Sequence, residues 1–202
     1  MAFSRSTLAA AALMLSAAST VAEPAKPDVQ KMITPAVIEE MRQWIDTEIV
    51  QVSVGAQNAA KSDLAQEKID ELDKMWRAEQ EAADKPLIAA TLSNPLSVYL
   101  ARMQGRSLGL YAEIFIMDQN GLNVGQSSVT SDFWQGDEDK FQKTYDVADD
   151  ALFIDEPEWD DEAKIWRNQV SFTLTDAAKT KIGAVTVEIN LTELQRRQSP
   201  AT

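Results

Sequence analysis

The chain is predicted to fold as an α+β domain in which a long N-terminal helix packs on a single antiparallel sheet of about five strands. Three observations predict this. Apolar residues recur every three or four positions through the first half and alternate from Tyr111 onward. The β-patterned runs are joined by hairpin-length loops, which pairs neighbours antiparallel. The helical patterns are gathered ahead of the strands, which separates the chain from an alternating α/β order.

Residues 1–22 read as a secretory leader. Arg5 precedes the apolar run Leu8–Ala18, and Thr20-Val21-Ala22 places small residues at the −3 and −1 positions of a cleavage site after Ala22. The alternative keeps this run as an uncleaved anchor, although it is short for a bilayer. No Cys follows it, so lipid acylation is excluded. Residues 23–34, opening EPAKPD, read as a flexible tether. Residues 35–198 then read as one domain, helical over 35–110 and sheet-forming over 111–194.

Thr34 and Pro35 suit the cap and first turn of a helix. Ile38, Met41, Ile45, Ile49 and Val52 follow on one face, and Leu64, Ile69, Leu72 and Trp76 continue an apolar side. One long helix, or two in tandem, is expected over about 35–82, with Gly55 a weak interruption. Asp84 and Pro86 open a further helix to about Leu92. Asn94-Pro95 breaks it, and Leu96–Gln104 is a third, with Gly105 as C-cap. Tyr111–Met117 is dense in aromatic and branched residues and reads as a strand. Asn120-Gly121 turns it into a returning strand, Leu122–Val129. Ser131–Tyr145 carries a short helix. Leu152–Ile154, Ile165–Leu174 and Ile182–Ile189 are the remaining strands, with WDDEAK (Trp159–Lys164) a polar loop and Leu191–Gln198 a terminal helix or tail.

Composition narrows the chemistry. The formal charge is −13, and loss of the leader with Arg5 leaves 18 basic against 32 acidic residues. Such a chain repels nucleic acid and anionic membranes. With no His and no Cys, a Ser-His-Asp triad, a Cys nucleophile, disulfides and the usual zinc or haem ligation are excluded. No Ser-x-x-Lys, P-loop or G-x-G-x-x-G is present. Asp118-x-Asn120-Gly121 approaches a calcium loop, but its Gly comes two positions early, and it reads as a hairpin turn. Asp155, Glu156, Glu158, Asp160, Asp161 and Glu162 are the densest acidic cluster and read as a solvated loop. No catalytic residue, metal site or cofactor is expected.

Glu113–Ser127 (EIFIMDQNGLNVGQS), Ser131–Tyr145 (SDFWQGDEDKFQKTY) and Lys181–Leu194 (KIGAVTVEINLTEL) together resemble the extracytoplasmic PAS-like sensor family known as Cache or PDC domains. The first segment resembles that family's strand, Asp-x-x-Gly turn and strand, and the last its closing strand. Ile69–Glu79 (IDELDKMWRAE) is similar to the long helix of secreted, stand-alone members. The resemblance implies a pocket on one sheet face, covered by the segment between the second and third strands. It implies binding of small organic acids, amino acids or related metabolites. Most members are fused to a transmembrane segment and a signalling domain; neither is read in this sequence, so a separate membrane partner is an expectation for this chain.

The candidate pocket segment is Ser131-Asp132-Phe133-Trp134, which combines a hydroxyl, a carboxylate and two aromatics beside a predicted sheet. Its aromatics equally suit anchors of the cap. Tyr111, Glu113, Phe115 and Met117 are expected on one sheet face, where a buried Glu113 needs a partner or a raised pKa. Arg167 is a candidate to pair with Glu113 or with a ligand carboxylate. Tyr99 is a further candidate. The expected function is a periplasmic sensor-type domain binding an organic acid, amino acid or amine, with a membrane or periplasmic protein partner. The rival is a ligandless acidic interaction module. The apolar face of Ile38–Ile49 is expected to pack on the sheet, with part of it available as a homodimer seam.

Overall fold

The computed structural model of the chain describes residues 24–199, and the leader expected over 1–22 lies outside the described residues. Eight helices and six strands are present among the described residues, all six strands in one antiparallel sheet of order β2-β1-β6-β5-β3 with β4 pairing β5. The strands are β1 (Tyr111–Asp118), β2 (Asn123–Gln126), β3 (Leu152–Ile154), β4 (Glu158–Asp160), β5 (Ile165–Thr175) and β6 (Lys181–Asn190).

Three helices stand where one long helix, or two in tandem, was expected over about 35–82. They are α2 (Pro35–Ile45), α3 (Glu48–Ala60) and α4 (Gln66–Glu81). The first break falls at Asp46-Thr47, where Thr47 turns extended and Glu48 meets the positive end of α3. This break resets the helical phase. Met41 and Ile45 of α2 are fully buried, but in α3 the buried positions are Val50 and Val54, and Val52 is 62 % exposed. The apolar sides of α2 and α3 join the main core against the sheet within the chain, so this face is used internally. Gly55 lies inside α3 and does not interrupt it.

Within the stretch expected as a tether, Val29–Met32 forms one helical turn, α1, because Met32 and Ile33 are apolar and bury. Gln198 of α8 (Leu191–Gln198) donates to the Met32 carbonyl at 2.9 Å, so the first and last helices meet. Before α1, Lys26 pairs with Glu156 at 2.6 Å.

Helix α5 (Pro86–Ser93) is not capped by Asp84. The Glu79 carboxylate of α4 reaches over and accepts from the N–H groups of Leu87 (3.1 Å) and Ile88 (2.9 Å). Asn94 caps α6 (Pro95–Arg106) by accepting from the Ser97 N–H at 2.8 Å.

The β1–β2 turn is closed by Asp118, whose carboxylate accepts from the N–H of Asn120 (2.8 Å) and Leu122 (3.0 Å). Gly121 there has φ +77, and a Cβ would stand 2.6 Å from the Gly136 Cα. On β6, a Cβ at Gly183 would stand 2.0 Å from the Met117 carbonyl oxygen, so close pairing of β6 with β1 requires glycine. The WDDEAK loop holds an unforeseen strand. Trp159 of β4 stands opposite Trp166 of β5 with ring centroids 5.6 Å apart, and this apolar pair offsets the surrounding charge.

The two sheet faces differ. Ile114, Ile116, Val170, Phe172, Val185, Val187 and Ile189 join the core under the helices. Phe115, Met117 and Ala184 look the other way, onto Phe141 and Tyr145. Phe141 belongs to α7 (Asp139–Gln142), a short helix on the segment that covers this second face.

Candidate functional site

The second face is laid out in rows by the strand register. One row is Met117, Ala184 and Thr173, the next Phe115, Thr186 and Ser171, and the third Glu113, Glu188 and Gln169. The first two are closed by Phe141 and Tyr145 and by a 2.9 Å hydrogen bond between the Ser171 and Thr186 hydroxyls. The third row is polar, and beside it opens a cavity of about 240 Å³. Its walls are Glu138, Asp139 and Lys140 from the start of α7, Asp155 and Glu156 from the β3–β4 connection, Glu158 from β4, and Arg167, Asn168, Gln169 and Glu188 from β5 and β6. Six carboxylates thus face two cations in the wall.

Arg167 pairs with Asp160 and lies 3.5 Å from Glu188. Its Nε is buried with no hydrogen-bond partner among the described residues. Lys140 pairs with Glu138 at 2.7 Å. Burial pushes the Glu188 carboxyl above the usual range, Arg167 opposes this, and the like charge of Glu158 adds to it. Burial also raises the Glu113 carboxyl, against a 2.7 Å hydrogen bond from Ser128, with Glu188 adding repulsion and Lys140 and Arg167 relieving it. A site of this kind favours a small guest that brings positive charge.

The residues nominated from sequence separate. Arg167 lines the cavity and Glu113 stands in its row, but Arg167 pairs with Asp160 and Glu188 rather than with Glu113. Tyr111 lies on the opposite face from Glu113. A register shift between these residues sets Tyr111 against Ile189 and Glu113 against Glu188, so the alternation slips and the Tyr111 ring packs 5.3 Å from Trp44. Tyr99 is on that helical side too, its hydroxyl donating to the Trp44 carbonyl at 2.6 Å.

Ser131–Trp134 line neither this cavity nor two others of about 330 and 580 Å³. The segment is anchored to α4. Asp73 accepts from the N–H groups of Phe133 (2.9 Å) and Trp134 (3.1 Å), and Arg77 pairs with Asp132 at 2.9 Å. The Ser131 hydroxyl donates to Asp132 at 2.9 Å. Phe133 stacks on Trp76 at 5.2 Å, and the Trp134 indole donates to the Asn120 carbonyl at 2.8 Å. The aromatics therefore serve as anchors of the cap.

Sequence reasoning missed Glu138, Lys140, Gln169 and Glu188, and it left Asp155, Glu156 and Glu158 in solvent. Glu188 had a readable signal. It lies between Val187 and Ile189, on the parity that opposes the apolar face of Val185, Val187 and Ile189. Among the described residues no helix is long and apolar enough to cross a membrane, and no group of three His, Cys, Asp or Glu is placed to hold a metal ion.

No protein-family model matches the chain, and no curated protein matches it. Solved structures do. The ligand-binding domain of the Pseudomonas aeruginosa PAO1 amino acid chemoreceptor PctC, in complex with GABA, is 14 % identical, with 74 % of this chain and 62 % of that chain covered and a TM-score of 0.37. The sensory domain of the Campylobacter jejuni chemoreceptor Tlp3 is 12 % identical, with 82 % and 66 % covered and a TM-score of 0.40. The sensor domain of the V. cholerae histidine kinase DctB is 15 % identical, with 82 % and 60 % covered and a TM-score of 0.37. The chain thus spans less than two thirds of each. These neighbours are sensory or ligand-binding domains of chemoreceptors and a histidine kinase.

Proposed function

We propose that this chain is an extracytoplasmic, non-catalytic sensor domain whose cavity binds a small metabolite bearing an amine, and that it passes the occupied state to a membrane partner. The observation that carries this reading is the third row of the sheet. Glu113 and Glu188 stand opposite each other beside a cavity of about 240 Å³ whose wall holds six carboxylates against Lys140 and Arg167. Like charges directly opposite destabilise a sheet, and a cationic guest offsets that cost. The volume suits a molecule below drug size.

Calorimetric titration with mono- and diamines, amino acids and dicarboxylates tests the reading. Amines are expected to bind, and Glu188→Gln is expected to weaken them about tenfold or more. Binding that is confined to dicarboxylates, or is unchanged in Glu188→Gln, sinks the amine assignment.

A second reading is favoured by the strongly exposed carboxylates Glu156, in the cavity wall, and Asp161, in the turn between β4 and β5. In it, the acidic surface docks a basic protein without a small ligand. Capture of a periplasmic partner that is lost at high salt, with no amine binding, selects this version.

A further inference from the structure

One occupant of the cavity region is the protein's own ammonium group. The Lys140 side chain is only 12 % exposed, although lysine is among the residues that least often leave water. Its Nζ lies 2.7 Å from the Glu138 carboxylate and donates to Oε1 of Gln135 at 3.2 Å. It also stands 5.4 Å from the centroid of the Phe115 ring. Its charge reaches both Glu113 and Glu188. A ring face, a neutral acceptor and carboxylates around one ammonium are the parts from which alkylammonium sites are built.

A lysine that merely pins a short helix needs one partner at the surface. Here the sheet, the cap and the α7 entrance all supply one, and the same residue lines a cavity with room for its unbranched side chain to withdraw. Resting on the reading of the cavity as an amine site, we propose that Lys140 is a tethered ammonium filling the amine subsite. A ligand primary ammonium binds by taking its place over Phe115, beside Gln135 and Glu138. The exchange leaves the charge at the subsite unchanged and frees α7 from its hold on the sheet. Occupancy is thereby read as a change in how the cap is fastened. Unbranched primary amines are selected, because the displaced group is itself one.

Lys140→Ala empties the subsite. Wild type and variant are titrated with methylammonium and butylammonium chloride against sodium chloride of equal ionic strength. The folded variant is expected to bind butylammonium, which reproduces the deleted side chain, about tenfold tighter than wild type, and tighter than methylammonium. Equal affinity in the two proteins, or no binding by the folded variant, overturns the proposal.

A measurement on the wild type stands whether or not the variant folds. The Lys140 ζ-ammonium resonance is expected to exchange slowly with water and to broaden as butylammonium is added. Exchange as fast as that of the exposed Lys31 and Lys164 overturns the proposal. The failures are separable. Rescue of Lys140→Ala without amine binding by wild type removes the sensor reading and leaves the subsite. Wild-type binding through Glu188 without a gain in Lys140→Ala removes the Lys140 assignment alone.

Discussion

Glu113 and Glu188 face one another across β1 and β6 on the side of the sheet away from the helices, and burial holds both carboxyls above the ordinary glutamate range. Each folded pKa lies above its unfolded value. Between the two values the folded state binds more protons, so stability falls as pH rises through that interval. Glu113→Gln removes one of the charges and keeps an acceptor for Ser128. It is expected to raise the melting temperature at neutral pH by about 2–4 °C, equivalent to about 1 kcal/mol. The gain is expected to vanish near pH ~4, below the unfolded glutamate value. A scanning-calorimetry series in pH checks it, and a gain that grows toward acid pH contradicts it.

The same two carboxyls set the pH dependence of binding. A cationic guest needs them ionised, so amine affinity is expected to fall as pH drops through their raised values, with protons released on binding at the upper edge of that window. Titrations in two buffers of different ionisation enthalpy measure the release. Affinity that stays flat from neutrality to about pH 5 separates these groups from the site.

Asp73 holds the cap segment by accepting from two backbone N–H groups, those of Phe133 and Trp134. Asp73→Ala strands both donors and is expected to cost about 2–4 kcal/mol. Urea denaturation gives the loss, and amide exchange at Phe133 and Trp134 is expected to accelerate more than at β6. A loss well under 1 kcal/mol (~0.3) would place the anchor elsewhere.

Two glycines give opposite outcomes. At Gly183 a methyl group meets the Met117 carbonyl oxygen, and Gly183→Ala is expected to destabilise by about 3 kcal/mol. At Gly55, inside α3 with nothing within 4 Å of the added carbon, Gly55→Ala is expected to stabilise by about 0.5–1 kcal/mol. Denaturation midpoints of the pair check both signs.

Most of the sheet was legible because its signals are local. Asp118 to Gly121 encode their own turn, and the alternation in Ile182–Ile189 places Val185, Val187 and Ile189 on one face without reference to any partner. The helical break at Asp46-Thr47 was less legible, since a cap residue inside an apolar pattern competes with the pattern itself. Tyr111 was misplaced because a register shift is decided between two strands and leaves no mark on either one. The site was hardest to read. Lys140, Glu158 and Glu188 come from three separate segments, and each alone looks like a surface charge. Trp134 drew attention by its type, and its indole is spent on the Asn120 carbonyl.

The hydrogen bond from Gln198 to Met32 fastens the last described helix to the first. Both ends of the folded body therefore depart from one pole, and a mechanical pull on them loads the α1–α8 contact before any strand pairing. A circularly permuted chain, with a short linker joining these ends and a new opening in the exposed Asp161–Lys164 turn, is compatible with the whole β1–β6–β5 ladder.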